Sequence, residues 1–480
     1  MRGGRTCSWS RSADRSRPAD GPLVADPHRE LTFPILPASV EGVLATLIAA
    51  GHEAVLVGGC VRDRVLGHSD GSWDWDAATA AEPGEVASLF PDSTWENRFG
   101  TVTVLGEPPV EVTSFRAEGG YRDARRPDDV RFGVSLREDL ARRDFTINAI
   151  AWLPTDLAAR RGELIDPFDG TADLEEGVLR TVGDPAARFG EDALRLIRAA
   201  RFAARFELTL DPATERAIVA LAPTAASVSG ERVRDELLRI LELEAPSRAF
   251  RLLERLGLLR VILPELAALR GVPQAKRVTG DALDHTLAAV DAAGAAVPDT
   301  RMSALLHDLG KATTGEGGHF IGHEEVGARL ADAVLGRLRF PRARAGRMVE
   351  VIRHHMYGYD DGWTDAAVRR FIRRLAGVDR ELLFALRAAD DAASGVGDEG
   401  PRVQRELEGR IGEQLEREPG LLVDRRLTVD GHDLQRELGL PPGPEVGRIL
   451  DRLTEAVLDD PKLNEREALL VLARTMVAGR

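Results

Sequence analysis

The chain has 480 residues, more than one hydrophobic core comfortably serves, so three or four domains are expected. Its net charge of −14 excludes a protein that simply coats nucleic acid, and the two cysteines, Cys7 and Cys60, exclude a disulfide framework or a cysteine metal site. No run of eighteen apolar residues is present, so no membrane span is expected, and the sparse cysteine suggests a reducing cytoplasm.

Residues 1–32 are rich in Arg and Ser but carry Asp14, Asp20 and Asp26, which fits a disordered tail or a misplaced start codon better than a signal peptide. The pattern from Val40 to Ala50 predicts an amphipathic helix, followed by a strand at Ala54–Val57 and the glycine turn Gly58-Gly59. Glycines there let backbone N–H groups approach a triphosphate. Fifteen residues beyond Gly59 stand Asp74 and Asp76, one residue apart. On a strand such residues share a face, so the two carboxylates can hold Mg²⁺ between them. Glu111 lies in the alternating segment Pro109–Ser114, which reads as a neighbouring strand with a third acid. Three converging carboxylates suit two-metal phosphoryl chemistry. Another strand is expected at Thr101–Leu105, while Ala117–Arg131 has no apolar period and reads as a charged, mobile loop.

From Leu174 onward strand signals nearly vanish and helical periodicity runs to the C-terminus, with breaks at Gly257 and Pro264. Arginine outnumbers lysine 61 to 3, and Arg188, Arg195, Arg198, Arg201 and Arg205 fall along one helical face. Six of the ten histidines lie between residues 285 and 355. Within that block His307-Asp308-Leu-Gly-Lys311 is preceded by His285 and followed by His323, His354-His355 and Asp390. Imidazoles and carboxylates together suit transition metals as well as Mg²⁺. Near the C-terminus, Gly431-His432-Asp433 reads as a capped helix start.

Taken in order, these motifs resemble the class II tRNA nucleotidyltransferase and bacterial poly(A) polymerase family. The resemblance rests on Leu56-Val-Gly-Gly-Cys-Val-Arg-Asp63, Asp74-Trp-Asp76 with Thr79, and Val110-Glu-Val-Thr-Ser-Phe-Arg116. It continues through Glu138-Asp-Leu-Ala-Arg-Arg-Asp-Phe-Thr-Ile-Asn-Ala149, Asp166-Pro-Phe-Asp-Gly170 and Phe189-Gly-Glu-Asp-Ala-Leu-Arg195. One departure, Ser69-Asp-Gly-Ser72, suggests a slightly longer turn before the aspartate pair. The implied fold is an α/β nucleotidyltransferase head of polymerase β type at 33–172, followed by an all-α neck at 173–268. A helical domain similar to the HD phosphohydrolases would occupy 269–395 and a helical tail 396–480.

The resemblance implies that Asp74 and Asp76 bind Mg²⁺ with Glu111 as third carboxylate, that Gly58, Gly59 and Arg62 meet the triphosphate, and that Arg143 contacts the nucleotide. Cytosine and adenine share an amino donor beside a ring-nitrogen acceptor, so a carboxylate at Asp192 and a guanidinium at Arg195 can read both and reject uracil and guanine. Arg198 and Arg201 would touch the nucleotide or the RNA backbone. His285, His307, Asp308 and Asp390 would hold a second divalent metal, with His323 and His354 able to make that centre binuclear. The implied activity is addition of CCA to the 3′ end of tRNA from CTP and ATP. Asn97-Arg-Phe-Gly-Thr-Val-Thr-Val104 looks like the tRNA enzymes, but a poly(A) polymerase, a partial CC- or A-adding enzyme, and a phosphohydrolase with a vestigial transferase half remain alternatives. So does a non-catalytic RNA-binding protein, which the acidic balance disfavours.

Overall fold

The computed structural model describes residues 30–67, 74–96, 100–119, 129–274, 280–294, 297–315, 319–360, 362–395, 397, 399–417 and 427–478. The expected tail up to residue 29, the turn Ser69–Ser72, residues 97–99 and the segment 120–128 lie outside these. The chain divides into two compact units, one of residues up to 117 with 131–172, the other of 118–130 with 173–480.

The first unit is built on an eight-stranded sheet. Its strands are β1 (Glu30–Thr32), β2 (Ala54–Val57), β3 (Asp76–Thr79), β4 (Ser93–Glu96), β5 (Thr101–Val104) and β6 (Val110–Ser114), then β9 (Ala151–Asp156) and β10 (Arg161–Ile165). A separate two-stranded sheet pairs β7 (Arg116–Gly119) with β8 (Asp129–Phe132). The main order is β1-β10-β9-β2-β3-β6-β5-β4, and every pairing is antiparallel except β3 with β6. Helix Ala38–Ala49 buries Val40, Val43, Leu44 and Leu47, the one-sided spacing of an amphipathic helix. Phe33 anchors the core, with ring centroids 5.7 Å from Trp75 and 5.1 Å from Trp152.

Two expectations change at the edges of this unit. The sheet begins at Glu30, inside the stretch read as tail, because Leu31 and its neighbours pair with β10 and the Leu31 carbonyl accepts from Trp152 Nε1 at 2.8 Å. The stretch read as a loop from Ala117 has strands at both described ends. Cross-strand pairing there does not need an apolar alternation.

From residue 173 onward the described strands are two pairs of residues, Val178–Leu179 and Thr209–Leu210, and the other regular elements are helices. Helix Gly170–Glu176 leads into it, and Asp166 fixes its start by accepting from the Gly170 and Thr171 amides, both at 2.8 Å. Gly170 has no room for a side chain against the Thr146 carbonyl. Helices Leu194–Arg205, Gly230–Leu241 and Pro246–Arg255 follow, then a bundle of Ala282–Ala292, Pro298–Leu306, His323–Arg337, Arg342–His354 and Arg380–Ala393. The C-terminal helices from Gly431 pack Leu434, Val446, Ile449, Leu453 and Leu469 into their own core. Asp430 caps the first of them in a reciprocal pair with Asp433, so Gly431-His432-Asp433 is a helix start. No helix among the described residues is long and apolar enough to cross a membrane.

Candidate active site and metal centre

The acidic centre follows from the side-chain alternation around Trp75. Its indole is 3% exposed in the core, which directs the flanking Asp74 and Asp76 to the other side. Strand β3 begins at Asp76, so Asp74 sits in the run just before it. The parallel register puts Asp76 directly opposite Glu111 on β6. Burial pushes the Asp76 carboxyl up to about 6; Arg143 opposes this, and the charges of Glu111 and Asp74 push the same way. A buried carboxyl facing the charges of two neighbouring carboxylates fits a divalent cation, whose charge offsets that repulsion.

The glycine turn faces this centre. Gly58 has φ 71°, a conformation glycine adopts without strain, and a Cβ there would lie 3.0 Å from Arg143 Nη1 and 3.7 Å from Asp76 Oδ2. A Cβ on Gly59 would lie 3.7 Å from Arg62 Nη2. The structure therefore brings Gly58, Gly59, Arg62, Arg143 and the acids together. Arg62 is 3% exposed, with Nε donating to Asp63 Oδ1 at 2.8 Å. Arg143 lies 3.5 Å from Asp139 Oδ2, and the same fully buried Asp139 receives Arg142 Nη2 at 2.8 Å. Cys60 is buried, and that burial pushes its thiol up to about 12, which keeps it a protonated packing group.

In the second unit, Asp192 lies between helices Pro185–Glu191 and Leu194–Arg205, and its Oδ1 accepts from the Leu194 amide at 3.1 Å. Both its oxygens are held by Arg232, at 3.0 and 2.7 Å. Sequence reasoning missed Arg232; forty residues away in a chain full of arginine, it carries no motif to mark it. Arg195 donates through Nη1 to Glu191 and to the Arg188 carbonyl, the latter at 3.0 Å. Arg198 and Arg201 turn toward helix Gly230–Leu241. Arg201 is 5% exposed with its Nε on Glu236 Oε2 at 2.6 Å, and Arg198 is 3.7 Å from the same carboxylate. The Arg201 guanidinium is thus buried against Glu236, while that of Arg198 is half-buried at the edge of the same ion pair.

The histidine block closes into one buried cluster. His285 Nε2 lies 2.9 Å from Asp390 Oδ1 and 3.6 Å from Asp308 Oδ2, and His307 Nε2 lies 3.1 Å from Asp308 Oδ2. On the other oxygen of Asp308, His323 Nε2 is 3.5 Å away and His355 Nε2 4.0 Å. His355, 1% exposed, thus enters the cluster where His354 was expected, and His354 faces Glu350 at 3.9 Å instead. The Nδ1 atoms of His307, His323 and His355 each meet the carbonyl three residues back, at 2.8, 2.7 and 2.7 Å. That fixes the tautomer: Nδ1 carries the proton, and the Nε2 lone pair faces the cluster, where none of these three Nε2 atoms makes a hydrogen bond. Burial also pushes His355 down to about 3, so its ring stays neutral and able to ligate. Four imidazoles and two carboxylates fit a transition-metal ion.

The sequence matches family models for the Poly A polymerase head domain at 54–180 and the "Probable RNA and SrmB-binding site of polymerase A" at 207–269. Models for the HD domain at 282–390 and tRNA nucleotidyltransferase domain 2 at 423–473 also match. Head, neck and histidine bundle together define the class of nucleotidyltransferases with a polymerase-type head and an HD domain. The chain is 34% identical over 435 residues to the CCA-adding enzyme of Geobacillus stearothermophilus, covering 89% of this chain and 94% of that protein. It belongs to the CCA-adding enzyme family. Over 213 residues it is 47% identical to the CCA-adding enzyme of Lactiplantibacillus plantarum, a match that takes in 43% of this chain and 50% of that protein, so the chain spans about half the length of that relative. The crystal structure of the Bacillus stearothermophilus CCA-adding enzyme in complex with CTP superposes with a TM-score of 0.66 at 28% identity, over 93% of this chain and 99% of that one.

Proposed function

We propose that this chain adds C, C and A in turn to the 3′ end of tRNA, using CTP and ATP, and acts in the cytoplasm, where its substrate is matured. The observation that carries the reading is the register of Asp76 against Glu111, with Asp74 beside them and Arg143 over the glycine turn. The tRNA 3′-hydroxyl attacks the α-phosphorus, a new P–O bond forms to the 3′-oxygen, the α–β bridge breaks, and pyrophosphate leaves. Asp74, Asp76 and Glu111 would hold Mg²⁺, which supplies charge neutralisation at the reacting phosphate. Arg62 and Arg143 receive the triphosphate charge at the glycine turn. Asp192 accepts from the amino group that C and A share, Arg195 donates to the adjacent ring nitrogen, and Arg232 keeps the Asp192 carboxylate in one orientation.

The test is incubation of tRNA transcripts ending before CCA, after C and after CC with each nucleotide separately. CTP alone should extend the first two and ATP alone the third. Long A tails on generic RNA without use of CTP would overturn the reading in favour of a poly(A) polymerase.

A second activity is favoured by the geometry at Asp308. Its two oxygens face two different histidine sets, His285 with His307 and His323 with His355. We infer that this cluster binds a divalent transition metal and hydrolyses phosphoesters on RNA ends. Asp308→Ala should lower the cobalt, nickel or zinc retained after dialysis by about tenfold or more, read by elemental analysis, with CTP incorporation within about twofold of wild type. Metal content equal to wild type would place the ions elsewhere.

A further inference from the structure

The two guanidiniums at the glycine turn share a support, Asn148, which stands in the same motif as Arg143 but has been given no role there. Asn148 ends the short 3₁₀ turn Thr146–Asn148 and is 6% exposed. Its Oδ1 accepts from Arg62 Nη1 at 2.5 Å, its Nδ2 donates to Asp144 Oδ1 at 3.0 Å, and its backbone carbonyl accepts from Arg143 Nη1 at 3.4 Å. Asp144 Oδ1 in turn accepts from the Phe145 amide at 2.9 Å, so the acid that orients the Asn148 amide is itself fixed. One residue therefore stands behind both Arg62, which faces Gly59, and Arg143, which faces Gly58 and Asp76.

We infer that Asn148 is a positioning residue that sets the spacing of Arg62 and Arg143 for the triphosphate, an inference that rests on the nucleotidyl-transfer reading above. An amide is suited to this place because it accepts from a cation on one side and donates to a carboxylate on the other. A carboxylate of the same shape cannot donate to Asp144. It would also draw Arg62 into a tight ion pair, and so take positive charge away from the incoming phosphates. An aliphatic side chain would leave the Arg62 guanidinium without this acceptor. Both effects act on the phosphates, which CTP and ATP have in common, so the two substrates should suffer alike.

Asn148→Asp is expected to raise KM for CTP and for ATP by about tenfold, with kcat within about threefold and tRNA affinity and melting temperature close to wild type. Asn148→Ser, whose hydroxyl still offers an acceptor, should fall between the two and is read if the aspartate variant melts early. A general structural role would instead lower melting temperature and tRNA binding together. Unchanged nucleotide KM in both variants, or a fall in kcat alone, overturns the inference. CTP affinity is also measured directly by calorimetry on wild type and variants. A wild-type chain that binds CTP yet extends no tRNA would count against the proposed activity, while the ratio of CTP affinities would still decide the role of Asn148.

Discussion

Asp76→Asn is expected to lower CMP and AMP incorporation by about a thousandfold or more, because it removes the carboxylate at the centre of the three-acid group. Gel-shift binding of tRNA should be nearly unchanged, since no part of the role assigned to Asp76 involves RNA contact. Incorporation within about tenfold of wild type would make the residue structural. The same residue sets a pH dependence. With its carboxyl near 6, the protonated form displaces a cation at lower pH, so divalent-ion affinity measured by calorimetry should weaken as pH falls through about 6. Folding has the opposite sign. A carboxyl raised in the folded chain contributes stability at acid pH, and that contribution is lost as pH rises from the ordinary carboxylate range through about 6. The asparagine variant should show neither dependence at this site.

Glu236→Gln is expected to destabilise the helical unit by about 3 kcal/mol or more, read from the denaturation midpoint. Glu236 is 1% exposed and takes Arg201 on one oxygen and Arg239 Nη1 on the other at 3.1 Å, with Arg198 close by. Burial already pulls Arg201 below its ordinary value, with Glu236 opposing that pull. A neutral amide leaves the guanidinium buried without its counter-charge. The double variant Glu236→Leu with Arg201→Leu should recover much of the loss, since both buried charges go together. A single variant as stable as wild type would mean that Arg201 finds its charge balance elsewhere.

The parts of the molecule legible in the sequence were those with a short-range signature. Asp74, Asp76 and Glu111 stand in segments where apolar neighbours alternate, so strand geometry alone predicts a shared face. The apolar spacing from Val40 to Leu47 likewise fixes a helix, found at Ala38–Ala49. Features set by long-range pairing were not legible. Strand β1 is three residues long and is defined by its partner β10, not by its own composition. Arg232 gains meaning only from Asp192, forty residues earlier in sequence. His354 and His355 are chemically equal neighbours at the end of helix Arg342–His354, and only the phase of that helix turns His355 inward. Arg198 and Arg201 have the same spacing whether they face RNA or Glu236, so the burial of Arg201 had to be seen.

The single parallel pairing in the sheet has a consequence for how this enzyme family can vary. Asp76 and Glu111 are neighbours through backbone hydrogen bonding between β3 and β6, not through the length of chain that joins them. That connecting stretch, including β4 and β5, can therefore gain or lose residues over evolution without moving the two acids apart. Length within β6 has no such freedom: one residue gained or lost inside the strand would shift its register against β3 and turn the Glu111 carboxylate to the opposite face. Natural drift should thus concentrate in the hairpin and spare the strand, leaving the acidic centre unchanged while the edge of the sheet is rebuilt around it.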